Sequence, residues 1–581
     1  MGVPGLWPFI NGNFGRQSVV QITKYINKSP KKIDYLYLDA NGLLHGAAQT
    51  VFNYGTNKSF IDALSHLTYE QKLTRTFELF FENIIDVTKI VTPQRVLYIA
   101  IDGPAPRAKQ NQQRERRFVS AMSRNPASFD SNSISPGTEF MHKLSQFMYF
   151  KIRDCINSDR GWRNVDVIYS PPTIPGEGEH KIMDYIRALP NVIQTNYSHC
   201  MFGPDGDLIM LTLSAHVNNI YLLRESHDNA ETYDLTNMTK VREELAYVLN
   251  QNKDVKRGNR TYDDVSNDFV LMGFFVGNDF LPKIKMFFYL ADGLNHMIST
   301  AIKIYQNSGN YITKGNQINI EGFKEFVKEL SKYEEYYIIA QNNIKHLDNR
   351  FNDETLMSCF NDDGKFDKEK YKEKYYSKFC NNESLEIEQI CRSYFKNLAW
   401  VFNYYTKELP SWDQSYNYHY APLMSDLSDY LSTLTQESLE KELIFEKSHP
   451  ALPFEQLLCI LPESSKNLLP EYYQPLMYHK NSPIVKNGYY PSTFKIDYEG
   501  KRKEYQGIPI LPFVDYEIVK NAYRSRKNGM VFEGEDPSNE KRLKWHRNEY
   551  GNVFTFRYTH NYRVIYKSPY GTIENCRVKR V

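Results

Sequence analysis

Residues 35–39 read YLYLD and residues 96–102 read VLYIAID. Each is a short apolar run that stops at an acid, Asp39 in the first and Asp102 in the second. Two further runs follow, Cys200–Phe202 just before Asp205 and Ile220–Leu223. Amphipathic stretches at 70–90, 107–122 and 179–188 separate them. Strand-like runs that alternate with helical periodicity predict an α/β fold with a mostly parallel sheet flanked by helices.

The chain has 581 residues, more than one hydrophobic core usually holds, so two or three units are expected. The first occupies 1–345. Residues 346–390, rich in Asn, Asp, Lys and Glu, read as a charged connector, a solvated helix or linker. A second, mainly helical and aromatic region covers 391–525, and a C-terminal segment covers 526–581, in which the alternation over 553–566 suggests a hairpin. The 44 tyrosines read first as core packing. A net charge of +2 means that any nucleic-acid site has to be a local cluster. Seven scattered cysteines without a C-x-x-C pair argue against zinc and against a disulfide framework, and fit a reducing compartment. The N-terminus lacks the pattern of a signal peptide, Leu6 weakens a myristoylation reading, and the run 269–276 is too short to span a bilayer.

Ligands of open parallel sheets bind beyond the carboxyl ends of the strands. Asp39, Asp102, Asp205 and Asp207 fall there, Glu177 and Glu179 lie in IPGEGEH where a helix begins, and Asp279 ends a long apolar run in GNDFLP. Acids two apart on a regular helix diverge, so Glu177 and Glu179 converge only where the chain turns. Gly176 and Gly178 permit that turn, and Pro204 and Gly206 suggest the same around Asp205 and Asp207. Any one of these acids is as well read as a helix cap. Seven in one cleft repel strongly, and hard divalent cations, Mg2+ or Mn2+, would relieve them. Two such ions about 4 Å apart suit phosphodiester cleavage.

Residues 107–124 carry six Lys or Arg against one acid, Glu115. Lys109, Gln113, Arg116 and Arg117 share one helical face directly after Asp102. A basic face beside an acidic metal site suits a phosphate group.

These residues carry a resemblance. LYLDANGLLH (36–45), AIDGPAPRAKQNQQRERRF (100–118), SPGTEFMHKL (135–144), PGEGEHKIMDYIR (175–187), HCMFGPDGDLIML (199–211) and FFVGNDFLP (274–282) closely resemble the XRN family of eukaryotic 5′→3′ exoribonucleases. HYAP at 419–422, FEQLLCILPESSKNLLP at 454–470 and the stretch 482–515 continue it, so it runs in order over about residues 1–525. The resemblance implies a nuclease core of the PIN or flap-nuclease type, buttressed by the second region. It implies that the seven acids surround the metal ions, and that Lys109, Gln113, Arg116 and Arg117 hold a 5′-monophosphate while excluding a cap or triphosphate. His45 is implied to stack on a terminal base, which tolerates any base identity.

The family's W-x-W-Y-Y-P pattern reads here Trp412-Asp-Gln414-Ser-Tyr416-Asn, so the second tryptophan is missing. Trp412 or Tyr416 is left as the partner of His45, with weaker stacking and lower processivity expected. The lack of a zinc knuckle and of a long C-terminal extension places the chain nearer a compact form of the cytoplasmic, mRNA-decay branch, acting as a monomer on single-stranded RNA without a membrane. VKRGNR (255–260) and RVKRV (577–581) are weak nuclear import candidates. A flap endonuclease would show a G-x-G hairpin turn after the last acid, where this chain has KIKMFFYLADGLNHM. An inactive RNA-binding scaffold is distinguished by metal-dependent turnover, and all seven acids are present.

Overall fold

The computed structural model describes residues 5–15, 18–24, 29, 31–59, 62–125, 128–226, 231–249, 261–343, 348–379, 386–533, 535, 547–558 and 565–573, with 576–580 as backbone only. Residues 255–260 lie outside them.

A nine-stranded sheet organises the first half. Its strands are β1 (Val19–Thr23), β2 (Tyr35–Asp39), β3 (Val96–Ala100), β4 (Asp166–Ser170), β5 (His199–Phe202), β6 (Ile220–Glu225), β7 (Thr232–Asn237), β8 (Phe554–Tyr558) and β9 (Cys576–Arg580). They lie in the order β1-β7-β6-β5-β2-β3-β4-β8-β9. The five central strands, β6 to β4, are parallel, and the outer pairs are antiparallel. β2 runs between β3 and β5, with Asp39 level with Ala100.

The unbroken apolar run at 35–38 has a simple cause. Tyr35 and Tyr37 pack into the core on one face of the sheet, while Leu36 and Leu38 pack into the core on the other. Both faces are covered by helices, as a parallel sheet requires.

The helices that matter for the site are α1 (Asn41–Phe52), α2 (Tyr69–Val91), α3 (Arg107–Ser123), α4 (Glu139–Ser158), α5 (Gly178–Ala188), α6 (Asp207–Ser214), α7 (Tyr262–Phe274), α8 (Lys368–Tyr376), α9 (Ile387–Thr406), α10 (Pro453–Ile460) and α11 (Tyr516–Lys527). Phe77 of α2 packs edge-on against Phe140 of α4, at 5.2 Å between ring centroids. The α7 helix is buried nearly all round, and α9 joins the same apolar core through Trp400, Tyr404 and Tyr405.

Two sequence expectations are corrected here. The hairpin expected over 553–566 falls in part on 559–564, which lie outside the described residues, and its first arm is paired elsewhere. β8 instead adds to the edge of β4, pairing Phe554 with Tyr169, and β9 closes the new edge. A free edge beside a buried parallel strand recruits a partner, and Phe556 is buried in return. The stretch 346–390 is not solvated throughout. α8 buries Tyr371, Tyr375 and Tyr376 beneath its charged surface. Tyr376 donates from its hydroxyl to Asp426, at 2.7 Å.

Among the described residues no helix is long and apolar enough to cross a membrane. Cys155, Cys200, Cys359, Cys391 and Cys459 are free thiols.

Candidate active site

The strand ends deliver the acids. Asp39 closes β2, Asp102 follows β3 by two residues, and Asp205 follows β5 by three. These are three adjacent strands at the point where the strand order reverses, the crevice in which open α/β sheets bind ligands. Glu177 caps α5 with an extended backbone and Glu179 sits in its first turn, so the chain does bend between them. Asp207 opens α6, and Asp279 lies on the loop after α7.

Two groupings result. Asp39, Glu179 and Asp205 each offer a carboxylate oxygen within 4.8 Å of the others. Glu177 and Asp279 both hold the ammonium of Lys109, at 2.5 and 2.6 Å. Asp102 is fixed between them by accepting from the Gly178 amide at 2.6 Å, and its own amide donates to Asn41 at 3.2 Å. Tyr404 of α9 donates to Glu177 at 3.4 Å, and its ring stacks on His180 at 3.5 Å.

The glycines act differently from one another. Gly176 has φ +104, so it supplies the turn. Gly178 supplies space: a Cβ there would lie 2.6 Å from Asp39 Oδ1 and 3.4 Å from Asp102 Oδ1. Gly206 does lie in a turn, the one that opens α6, but with φ −66 it holds a conformation open to any residue, so the turn there does not depend on glycine. Asp207 reaches the site because α6 starts there.

The electrostatics show the strain of this crowding. Burial, then Asp102 and Asp205, push the Asp39 carboxyl far up. Burial, then Asp39 and Glu177, do the same to Glu179. Burial raises Glu177 against the opposing pull of Lys109. Burial, then Asp279, push Asp207 up to about 7. For Asp279 burial acts upward, but the positive charges around it, Lys109 first and Arg116 among them, together outweigh it and the carboxyl falls below its ordinary value. The Asp39 Oδ1 and Asp207 Oδ1 atoms are buried without a hydrogen-bond partner. Orphaned carboxylate oxygens among carboxyls that resist ionisation fit hard divalent cations. Asp39, Glu179 and Asp205, with Asp207 beside them, are the residues able to hold one.

The α3 helix separates two jobs onto two faces. Arg107, Gln110 and Arg114 face the C-terminal region. Arg107 donates to the Val514 carbonyl and to Gln110, and Arg114 donates to the carbonyls of Cys459 and Tyr489. Cys459 lies on α10, so the second region clamps the helix. Lys109, Gln113, Arg116 and Arg117 occupy the other face. Lys109 is turned to the acids. Gln113 is buried with its Oε1 unpartnered. Arg116 is exposed, and Arg117 donates to Ser135 Oγ at 3.1 and 2.7 Å. Burial, then Arg116, lower Arg117 to about 9.

His45 on α1 is held neutral, at about 4, by burial and then by Arg116 and Arg117. Trp412 is half-buried, its carbonyl accepting from the Arg107 amide at 2.8 Å at the start of α3. Neither His45 nor Trp412 stacks on another ring among the described residues. Tyr416 is core: its ring meets Tyr394 and Tyr418, and its hydroxyl donates to the Tyr420 carbonyl. It is therefore not free to stack on a base. Gln414 donates to Asn397 at 3.3 Å.

Sequence reading missed four contributors. Asn41, two residues after Asp39, and Ser135, in SPGTEF, stood in motifs already singled out. Lys181 is buried beneath the acids, donating to the carbonyls of Ile101 and Pro171, and burial lowers it to about 7 against the pull of Asp102. Tyr404 carries no local signal, because only the packing of α9 on α5 brings it to Glu177.

The fold and site together define an α/β protein with an acidic cation-binding centre beside a phosphate-suited helix face. The model of the XRN 5′-3′ exonuclease N-terminus matches residues 1–127 and 123–226, and that of the Xrn1 helical domain matches 260–365 and 339–545. The chain belongs to this family. The 5′-3′ exoribonuclease 1 of Homo sapiens is 29% identical over 99% of this chain and 37% of its own length. That of Saccharomyces cerevisiae is 27% identical over 99% of this chain and 46% of its own length. The 5′-3′ exoribonuclease 2 of Arabidopsis thaliana is 30% identical over 85% of this chain and 62% of its own length. The chain thus spans between about a third and two thirds of the length of these relatives.

Proposed function

We infer that the chain is a 5′→3′ exoribonuclease that hydrolyses single-stranded RNA bearing a 5′-monophosphate, releasing nucleoside 5′-monophosphates. The observation that carries this reading is the site-facing side of α3. It runs without a break from Lys109, held between Glu177 and Asp279, to Gln113, Arg116 and Arg117. A cationic face that starts at the acids and ends a few residues further on can measure one nucleotide from a phosphorylated end.

Gln113, Arg116 and Arg117 bind the terminal phosphate, and Arg116, the exposed member, meets it first. His45 stacks on the terminal base in its neutral form, with Trp412 as its partner. The seven acids, Asp39, Asp102, Glu177, Glu179, Asp205, Asp207 and Asp279, hold two Mg2+ or Mn2+ ions. When bound, such ions supply an activated water and neutralise charge on the phosphate. Water adds to the phosphorus of the second nucleotide and the P–O3′ bond breaks. The first nucleotide leaves with a 3′-hydroxyl, and the remaining strand carries a new 5′-monophosphate for the same pocket. Clamping of α3 by the carbonyls of Cys459, Tyr489 and Val514 keeps the pocket at a fixed distance from the acids. The free thiols fit a cytoplasmic setting, with RNA decay as the role.

The test is product analysis. A uniformly labelled 5′-monophosphorylated RNA is incubated with Mg2+, with Mn2+ and with EDTA. Mononucleoside 5′-monophosphates in the metal arms alone support the reading. Oligonucleotides or nucleoside 3′-monophosphates refute it, and binding without products in any arm favours the scaffold reading.

A further inference from the structure

The loop that carries Asp279 also builds a cationic surface that the site above does not use. Gly277 has φ +90 and the chain folds back so closely that a Cβ there would lie 3.0–3.3 Å from Lys283. The Ile284 amide closes the loop on the Phe275 carbonyl at 3.0 Å. The Lys283 ammonium donates to the Phe288 carbonyl at 3.2 Å. From the other half of the chain the turn at Gly500, φ +64, packs on the ion pair of Lys285 and Asp353, where a Cβ would lie 2.8 Å from Lys285 Nζ. This brings Lys501 and Arg502 to the same place, with the Arg502 guanidinium 4.7 Å from the centre of the exposed Tyr289 ring.

The pairing within this cluster is incomplete. Lys285 has Asp353, and Lys378 has Glu499. Among the described residues Lys283, Lys501 and Arg502 form no ion pair. Burial, then the positive charges of Lys501, Lys285 and Arg502, lower the Lys283 ammonium to about 7. Burial, then Lys285, lower Lys501 to about 8, with Asp497 opposing. Three unpaired cations held together with an exposed aromatic ring form a surface for a nucleic-acid strand, where the backbone meets charge and a base meets a π-face. The position suits a strand already held at the acids. Lys283 lies on the Asp279 loop, four residues past that acid, and because the 5′ end is taken up by the pocket on α3, every further phosphate of the strand lies on the 3′ side of the cleaved bond.

We propose that Lys283, Lys501 and Arg502 form a second RNA-backbone site, which takes an internucleotide phosphate beyond the third nucleotide of the strand, on the 3′ side of the cleaved bond. This rests on the exoribonuclease reading. The acids repel the strand they must admit, and a cationic surface beside them holds the following nucleotides so that the strand advances without leaving.

The test uses the full chain in EDTA and 5′-monophosphorylated RNAs of three and twelve nucleotides, with affinity measured by fluorescence anisotropy between 50 and 200 mM salt. Lys501→Gln and the surface variant Arg502→Ala are each expected to weaken twelve-nucleotide binding several-fold. Each should lower the slope of log affinity against log salt by about 0.7, the contribution of one single-strand phosphate contact. Trinucleotide affinity, and trinucleotide hydrolysis with Mg2+, should stay unchanged, and Lys501→Arg should keep the parent slope. Unchanged slopes in both variants overturn the proposal while leaving the exoribonuclease reading intact. Equal losses on both lengths also overturn it, since the effect is then not on the downstream strand. A parent chain that neither binds nor hydrolyses either RNA overturns both.

Discussion

Asp207→Asn removes one charge from the crowded site and keeps the side chain's shape, and its effect on stability should change with pH. Asp207 is 2% exposed, and its folded-state carboxyl stands at about 7 against an ordinary 3.8. A folded pKa above the unfolded one means that the charged form is disfavoured in the fold. The cost is absent below about pH 4, grows as pH rises to about 7, and then stays constant. At roughly 1 kcal/mol or a little more per pH unit, it is on the order of 1–2 kcal/mol at pH 5 and about 4 kcal/mol at pH 8. The asparagine amide is left without a partner at a cost of about 1–3 kcal/mol, nearly the same at both pH values. In EDTA the variant should therefore be more stable than the parent at pH 8, and lose a few kcal/mol of that advantage, on the order of 2–3 kcal/mol, at pH 5. Thermal unfolding of both proteins at the two pH values gives the comparison, read as the sign of the change in midpoint. Added Mg2+ should stabilise the parent more than the variant at pH 8, because the ion binds only the folded arrangement of acids. An unfolding midpoint shift that is the same at pH 5 and pH 8 would refute the reasoning, since Asp207 would then be an ordinary ionised carboxylate.

Gly178→Ala should preserve the fold yet lower kcat on the order of a hundredfold, because its methyl would displace the Asp39 carboxylate; unchanged single-turnover rates would show that the close approach is dispensable. Arg116→Ala, on an exposed side chain, should move stability by no more than about 0.5 kcal/mol while reducing the preference for monophosphate over triphosphate ends, measured as a ratio of kcat/KM. His45→Ala should weaken binding by about 1–3 kcal/mol on short RNA and shorten the run of nucleotides released per encounter, whereas His45→Phe should retain most of both.

How much was legible in the sequence followed from how local each signal was. The run YLYLD placed β2 because both faces of a central parallel strand are buried, which leaves an unbroken apolar string with the acid at its end. The basic face of α3 was legible from helical spacing alone. Its second job was not, because Lys109 could reach either a phosphate or the acids, and only the tertiary position of Glu177 and Asp279 decides. Gly178 was read as a source of flexibility, whereas its α-carbon is needed for close approach, a distinction invisible without the neighbouring Asp39. The reading of Tyr416 as a stacking candidate failed because one tyrosine among many carries no sign of whether its ring faces Tyr394 or solvent. β8 and β9 were out of reach for another reason. β4, the partner of β8, lies nearly four hundred residues earlier, since Phe554 pairs with Tyr169, β9 in turn depends on β8, and alternation within 553–566 says nothing about which edge it will meet.

The most direct measurement compares three labelled RNAs of one sequence: two 3′-labelled linear strands, one with a 5′-monophosphate and one with a 5′-triphosphate, and the circular form labelled internally. All three are incubated with Mg2+ and with EDTA. Expected is loss of the monophosphate strand alone, in Mg2+ alone, with mononucleotides as the products. Cleavage of the circle would contradict the end-dependent site, and equal loss of both linear strands would contradict the reading of the α3 face as a gauge for a 5′-monophosphate.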